Sequence, residues 1–397
     1  MHDSFIRLIA ASLKDERFAV IDVGCSGGIE PIWRLFGDRF AAIGFDASVS
    51  ECRRLAEQET HANVHYVAGF VGIPPDHPFA LRAAHLPLYP GDFSPRTSAA
   101  WAGSLRAART AIASDREKMH QNQWQRTELA DRDKPVYVAA TLEQYGFSSP
   151  DFLKIDIDGP DFLVLNSLDG MFEKFSLMGV RLEVNLSSDG SDTANTFYNT
   201  DRFMNRQGYV LVRLDNRSYS MRALPSRFDI TIPAQTVSGR IFQSEAFYAR
   251  DLADERWKEL AAATSAEKLA KLAAIFSAWE QPDCAAELLL VHRDRLSALF
   301  DVDQALDMLA AQTQYADGKK DEVEILPYRD YMALFAADSP DFYPPPYRPT
   351  PKPTLRQRIA AAWRALGDWD YAEKNKLNRQ RNAMLKEKRR SRAAKSG

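Results

Sequence analysis

Residues 21–28, Ile-Asp-Val-Gly-Cys-Ser-Gly-Gly, set three glycines directly behind an apolar run. Ile21 and Val23 bracket Asp22 as the end of a buried strand does. Gly24, Gly27 and Gly28 then form a turn in which no side chain blocks close approach to the backbone. Ile32, Trp33, Leu35 and Phe36 follow as the apolar stripe of a helix. Strand, glycine turn and helix make the first unit of a doubly wound α/β sheet, whose ligands bind beyond the carboxyl ends of its strands.

The spacing is D-x-G-x-x-x-G, not the G-x-G-x-x-G of dinucleotide sites. An acid beside the turn repels a pyrophosphate and favours a cationic ligand. S-adenosyl-L-methionine, with its ammonium and sulfonium, suits that field. The class I methyltransferases have this pattern and the chain resembles them here. The resemblance implies donor contacts by Asp22, Gly24, Ser26 and Gly28. Residues 42–48 read as a second strand ending at Asp46, an acid roughly 20 residues beyond the turn, where it can hold both ribose hydroxyls. Asp46 or Ser48 can equally cap a helix over Val49–Glu57. Asn63–Gly72 reads as the third strand and its exit. That exit, Ala68-Gly69-Phe70, carries no acid or amide, so Gly69 backbone and apolar contact are expected to hold adenine.

Residues 152–168 carry a second motif. Leu153, Ile155 and Ile157 alternate with Lys154, Asp156 and Asp158, and Gly159-Pro160 turns the chain into a Leu-rich helix. This stretch, with Thr141-Leu142-Glu143 upstream and Leu182-Glu183-Val184 downstream, resembles the FkbM family of methyltransferases over about residues 18–250. Asp158 stands where that family usually has glutamate, and Pro160-Asp161 replaces an alanine–glutamate pair. The resemblance implies oxygen methylation of a sugar or natural product.

Strand periodicity sets Lys154, Asp156 and Asp158 on one face, at about 6.6 Å spacing. Glu183 is expected to face the same way from the neighbouring strand and to pair with Lys154. Asp156 and Asp158 are the candidate catalytic residues. Asp156 can contact the donor, draw a proton from the acceptor hydroxyl, or hold a divalent cation. With only two or three acids in view, a metal is disfavoured.

The chain has 397 residues, 45% of them hydrophobic and 26% charged, enough for a full globular core. Cys25, Cys52 and Cys284 form no metal or disulfide pattern, which fits a reducing cytoplasm. No signal peptide and no apolar run of membrane-spanning length is read. The net charge of −3 divides into +9 from Thr354 to Gly397 and −12 over the rest.

The expected architecture is α/β: a doubly wound, mainly parallel seven-stranded sheet, Rossmann-like as in class I methyltransferases, with a helical C-terminal extension. Residues 1–250 form the methyltransferase domain, after a leading helix within 1–17. An insertion over 74–134 is expected to cover the donor pocket and shape the acceptor site, with Arg96, Ser98 and Trp101 as the polar and aromatic set for a sugar. The sheet resumes at Val136–Ala139, Phe152–Ile157, Met178–Val184 and Gly208–Leu214. The methyltransferase resemblance implies that a last strand near Glu245–Arg250 pairs antiparallel with its neighbour. Residues 251–338 read as helices, for dimerisation or partner binding. A proline-rich linker spans 339–353. The tail, 354–397, joins an apolar stripe (Leu355, Ile359, Trp363, Leu366) to dense base, a pattern for a helix on an anionic membrane surface. The expected location is the cytoplasm, with contact at the inner face of the membrane. The expected acceptor is a glycan or small molecule; nucleic acid is disfavoured, with only the basic tail in its favour. The rival reading is a non-catalytic methyltransferase-like scaffold that recruits a glycan-assembly complex.

Overall fold

A computed structural model describes residues 2–82, 128–157, 160–174, 177–186, 190–220, 224, 226–227, 235–316 and 325–335. Asp158, Arg96, Ser98, Trp101, the linker at 339–353 and the tail at 354–397 lie outside the described residues. The chain divides into two compact units, Met1–Tyr331 and Met332–Gly397.

Seven strands form one sheet: β1 (Phe18–Val23), β2 (Phe40–Asp46), β3 (Val64–Ala68), β4 (Phe152–Ile155), β5 (Gly179–Asn185), β6 (Val210–Tyr219) and β7 (Arg240–Ala249). Their order is β3-β2-β1-β4-β5-β7-β6. The first five are parallel, and β7 runs antiparallel between β5 and β6. Every residue of β1 and β2 is buried. Such strands read as nearly continuous apolar runs because helices cover both faces.

On one face lie the helices His2–Ser12, Ala266–Ala278, Pro282–Val291 and Val302–Ala316. Their core includes Phe18 stacked on Phe36 at 4.2 Å, and Trp279 within 6.0 Å of Phe152 and 5.8 Å of Phe247. On the other face lie Val138–Gln144, Asp161–Ser167 and Phe197–Arg206, packed through Leu142, Phe162 and Met204.

The helices beyond residue 250 thus share a core with the sheet. An ionic cluster at the amino edge ties them to it. Asp151, fully buried before β4, accepts Ala19 N–H at 2.9 Å and pairs with Lys271 at 2.9 Å and Lys268 at 3.3 Å. Lys271 also reaches Glu16 at 2.7 Å.

Two local expectations change. Residues 136–139 do not form a strand. Val136 makes a single bridge to Val71, and a helix starts at Val138. So short an apolar run does not by itself distinguish strand from helix; here Val138 and Leu142 are needed to cover the sheet. The segment after the glycine turn, Pro31–Arg39, is a 3₁₀ helix interrupted at Gly37 (φ +55°), not a regular α-helix. It still buries Trp33 and Phe36.

Candidate active site

The carboxyl ends of β1, β2 and β4 meet at the glycine turn. The N–H groups of Gly24 and Cys25 both donate to Phe45 O, at 2.8 and 3.0 Å, so the turn grows out of the β1–β2 pairing. Gly24 has φ +93°, and a Cβ there would sit 1.9 Å from Asp156 O. No other residue fits this position, because both the backbone conformation and the space exclude a side chain. Gly28, at φ +97°, closes the turn by donating to Cys25 O at 2.8 Å.

Asp46 ends β2 and is 7% exposed. It accepts the N–H of Ser48 at 2.7 Å and that of Ser26 from the glycine turn. Burial raises its pKa, and these two bonds hold it back. Ser48 in turn caps the helix Val49–Gln58 by accepting Glu51 N–H at 3.1 Å. Ser48 rather than Asp46 therefore makes the helix cap, and Asp46 ties the glycine turn to the end of β2.

Gly69 donates to Asp46 O at 2.8 Å. A Cβ on it would lie 2.2 Å from Val136 Cγ2, so packing against Val136 also requires glycine there.

Asp22 is 2% exposed, one residue from the end of β1. Burial pushes its carboxyl up to about 6, against the pull of Lys154. Lys154, its register partner on β4, donates to Asp22 Oδ1 at 3.2 Å and to Gly24 O at 3.3 Å. The same ammonium lies 3.6 Å from Asp156 Oδ2. Burial alone would depress Lys154, but Asp22 and Asp156 overcome it and raise its pKa. One cation against two carboxylates leaves this cluster net negative. Asp156 itself is 43% exposed at its side chain.

Glu183 does not pair with Lys154. Its partner is Arg217 of β6, at 2.6 Å. Lys154 stands in register with Arg181, not with Glu183, and its charge is already taken by Asp22. Arg181 joins Glu30 and Glu245, and Glu245 also joins Arg217. Burial would raise the Glu245 carboxyl, but Arg181 and Arg217 win and lower it. Arg181 further lies over the Trp279 ring, 4.4 Å from its centroid. Sequence reading missed this network, and it missed Asp161, which is fully buried and accepts Ile157 N–H at 3.1 Å. Charges recurring at alternate positions, Arg181/Glu183 and Arg213/Asp215/Arg217, were the available signal.

Among the described residues, no group of three or more His, Cys, Asp or Glu is arranged to hold a metal ion. No helix among them is long and apolar enough to cross a membrane.

Five parallel strands, an antiparallel β7 slotted beside β5, and a glycine turn at the carboxyl edge define a Rossmann-like class I methyltransferase fold. The family model described as the methyltransferase FkbM domain matches residues 102–211, a stretch that starts after the glycine turn and includes Lys154, Asp156 and Glu183. Over those residues the chain is similar to an FkbM methyltransferase domain. No curated protein matches it. Among solved structures it is similar to an S-adenosylmethionine-dependent methyltransferase from Aquifex aeolicus, at 8% identity and a TM-score of 0.26, over 62% of this chain and 88% of that one. It is also similar to magnesium protoporphyrin IX methyltransferase from Synechocystis, at 11% identity and a TM-score of 0.26, over 63% and 77%.

Proposed function

We propose that this protein is an S-adenosylmethionine-dependent O-methyltransferase acting on a sugar hydroxyl of a bacterial glycan or related natural product. The observation that carries the reading is the pair of buried carboxylates, Asp22 and Asp46, at the ends of adjacent strands around a turn with no room for a Cβ at Gly24. This chemistry fits the donor. Buried carboxylate oxygens bind ribose hydroxyls, and a net-negative cluster attracts an ammonium and a sulfonium.

Bound donor supplies a methyl group on a sulfonium. Asp46 accepts hydrogen bonds from the ribose hydroxyls. Gly24, Ser26 and Gly28 let the turn lie against the donor, and the Gly69 backbone at the exit of β3 contacts its adenine. Asp156, half exposed beside the turn, takes the acceptor's proton as the oxygen attacks. Held by Asp22, Asp46 and the glycine turn, the donor would supply the methyl carbon for that oxygen, its sulfur leaving with the old bonding pair. Lys154 holds Asp156 and the Gly24 carbonyl together. Holding both reactants in line supplies much of the rate, and the positioned carboxylate adds general-base assistance. Asp158 follows on the same segment and is the second candidate base.

The sugar acceptor rests on the FkbM match and on the insertion with Arg96, Ser98 and Trp101. The basic segment 354–397 brings the enzyme to an anionic membrane surface, where lipid-linked glycans are assembled. Calorimetry with S-adenosylmethionine tests donor binding. Mass spectrometry of envelope glycans from cells with and without the gene tests the acceptor: loss of one methyl substituent from a sugar is expected. Donor binding with an unchanged glycan profile would discard the glycan.

A further inference from the structure

A concavity opens on the same edge of the sheet, beyond β5. It is a cavity of about 490 Å³, lined by the end of β5 and the start of the helix Phe197–Arg206. Its wall is a braced loop. Asn199 Nδ2 donates to Ser191 O and Ala194 O, both at 2.9 Å. Asn195 Nδ2 donates to Asp161 Oδ2 at 3.3 Å, and Asp161 Oδ1 accepts the N–H of Ile157, the residue after Asp156. The cavity wall and the segment bearing the candidate base are therefore tied through one buried carboxylate.

The groups left over in this wall are informative. Asn199 spends its amide on the loop, and Ser191 shares its hydroxyl with Thr193 at 2.7 Å. Tyr198, by contrast, is 69% exposed, and the Arg202 guanidinium lies over its ring, 5.5 Å from the centroid. Among the described residues, no ion pair engages Arg202. Asp192, the carboxylate in the lining, faces Arg82 at 3.9 Å. An aromatic face takes the C–H side of a pyranose. A planar guanidinium takes a carboxylate or phosphate through two parallel hydrogen bonds.

We infer that this cavity is the acceptor subsite and that the acceptor is an anionic sugar, stacked on Tyr198 with its carboxylate or phosphate on Arg202. The inference rests on the methyl-transfer reading above and deepens it. A neutral sugar gains the stacking contact alone and leaves Arg202 unused. Asp192 weakens the site's pull on an anion, and Arg82 offsets it.

The test uses the full chain and three probes: methyl glucuronoside, glucose 6-phosphate and methyl glucoside, with binding read by ligand-observed NMR. At least one acidic probe should bind about tenfold more tightly than the glucoside, as a charge-assisted bidentate contact provides. The tighter of the two acidic probes identifies the anion. Arg202→Gln should reduce the acidic probes to the glucoside's level, and Tyr198→Ala should weaken all three. Both side chains are exposed, so thermal melts should match the parent's. Equal binding of neutral and acidic probes, no binding of any, or unchanged binding in Arg202→Gln overturns the inference. Donor calorimetry on the same samples separates the two failures. A parent that binds donor but no probe loses the subsite alone, whereas a parent that binds no donor loses the methyl-transfer reading.

Discussion

Lys154 Nζ lies 3.2 Å from Asp22 Oδ1, and the same ammonium reaches the Gly24 carbonyl and Asp156. One side chain on β4 thus joins the end of β1, the glycine turn and the candidate base.

Removing that ammonium should therefore cost more than a surface charge does. Lys154→Met leaves the Asp22 carboxylate buried without its cation. Breaking a buried pair in this way costs about 3–5 kcal/mol. Urea unfolding should show the loss, and the double variant Lys154→Met/Asp22→Asn should recover part of it. A single variant as stable as the parent would dismiss the pair as a structural element.

Proton linkage at Asp22 has a definite sign. Its folded pKa is raised from 3.8 to about 6, so the folded protein without donor holds a proton that the unfolded chain has released. The stability this contributes is complete below pH 3.8 and is lost as pH rises through about 6. Donor binding runs the other way, because a cationic ligand favours the ionised carboxylate. Affinity should fall as pH drops through 6, with proton release on binding near that pH. Calorimetry in two buffers of different ionisation enthalpy reads the released protons directly, and Asp22→Asn should abolish them.

Asp46→Ala should weaken S-adenosylmethionine binding by roughly 1.5–3 kcal/mol, the worth of a hydrogen bond to a charged group. Because Asp46 also ties Ser26 and Ser48, the variant needs its own melting curve. Unchanged donor affinity refutes the ribose contact.

Asp156→Asn should separate turnover from folding. The side chain is 43% exposed, and Lys154 retains Asp22 when Asp156 is neutralised. The melting temperature should stay close to the parent's while kcat falls by about 10²–10⁴, the usual share of a general base. Retained activity transfers that role to another residue, with Asp158 next to be replaced.

Gly24→Ala should abolish donor binding. Its methyl would sit 1.9 Å from Asp156 O, against backbone that cannot move without shifting β4.

The sequence was most legible where the chemistry is local. The end of β2 at Asp46 and the Ser48 cap follow from residues a few places apart, whereas the antiparallel last strand came with the methyltransferase resemblance. It was least legible across the sheet. Alternation placed Lys154 and Glu183 on one face but not in register. Asp22 and Lys154 are 132 residues apart, and Glu183 finds its cation on β6, across β7. Strand order and register decide such partners, and neither is written in a single strand's pattern. The Val136–Ala139 segment failed for a different reason: its apolar residues serve a helix as well as a strand.

Asp151 and Lys271 are separated by 120 residues. A ribosome that has already made the glycine turn, Asp46 and β4 has therefore not yet made the cation that neutralises this carboxylate. The nascent chain holds every strand of the sheet before it can close the sheet's amino edge. The buried Asp151 carboxylate thus gains its cation only when a helix made after every strand has docked on the sheet.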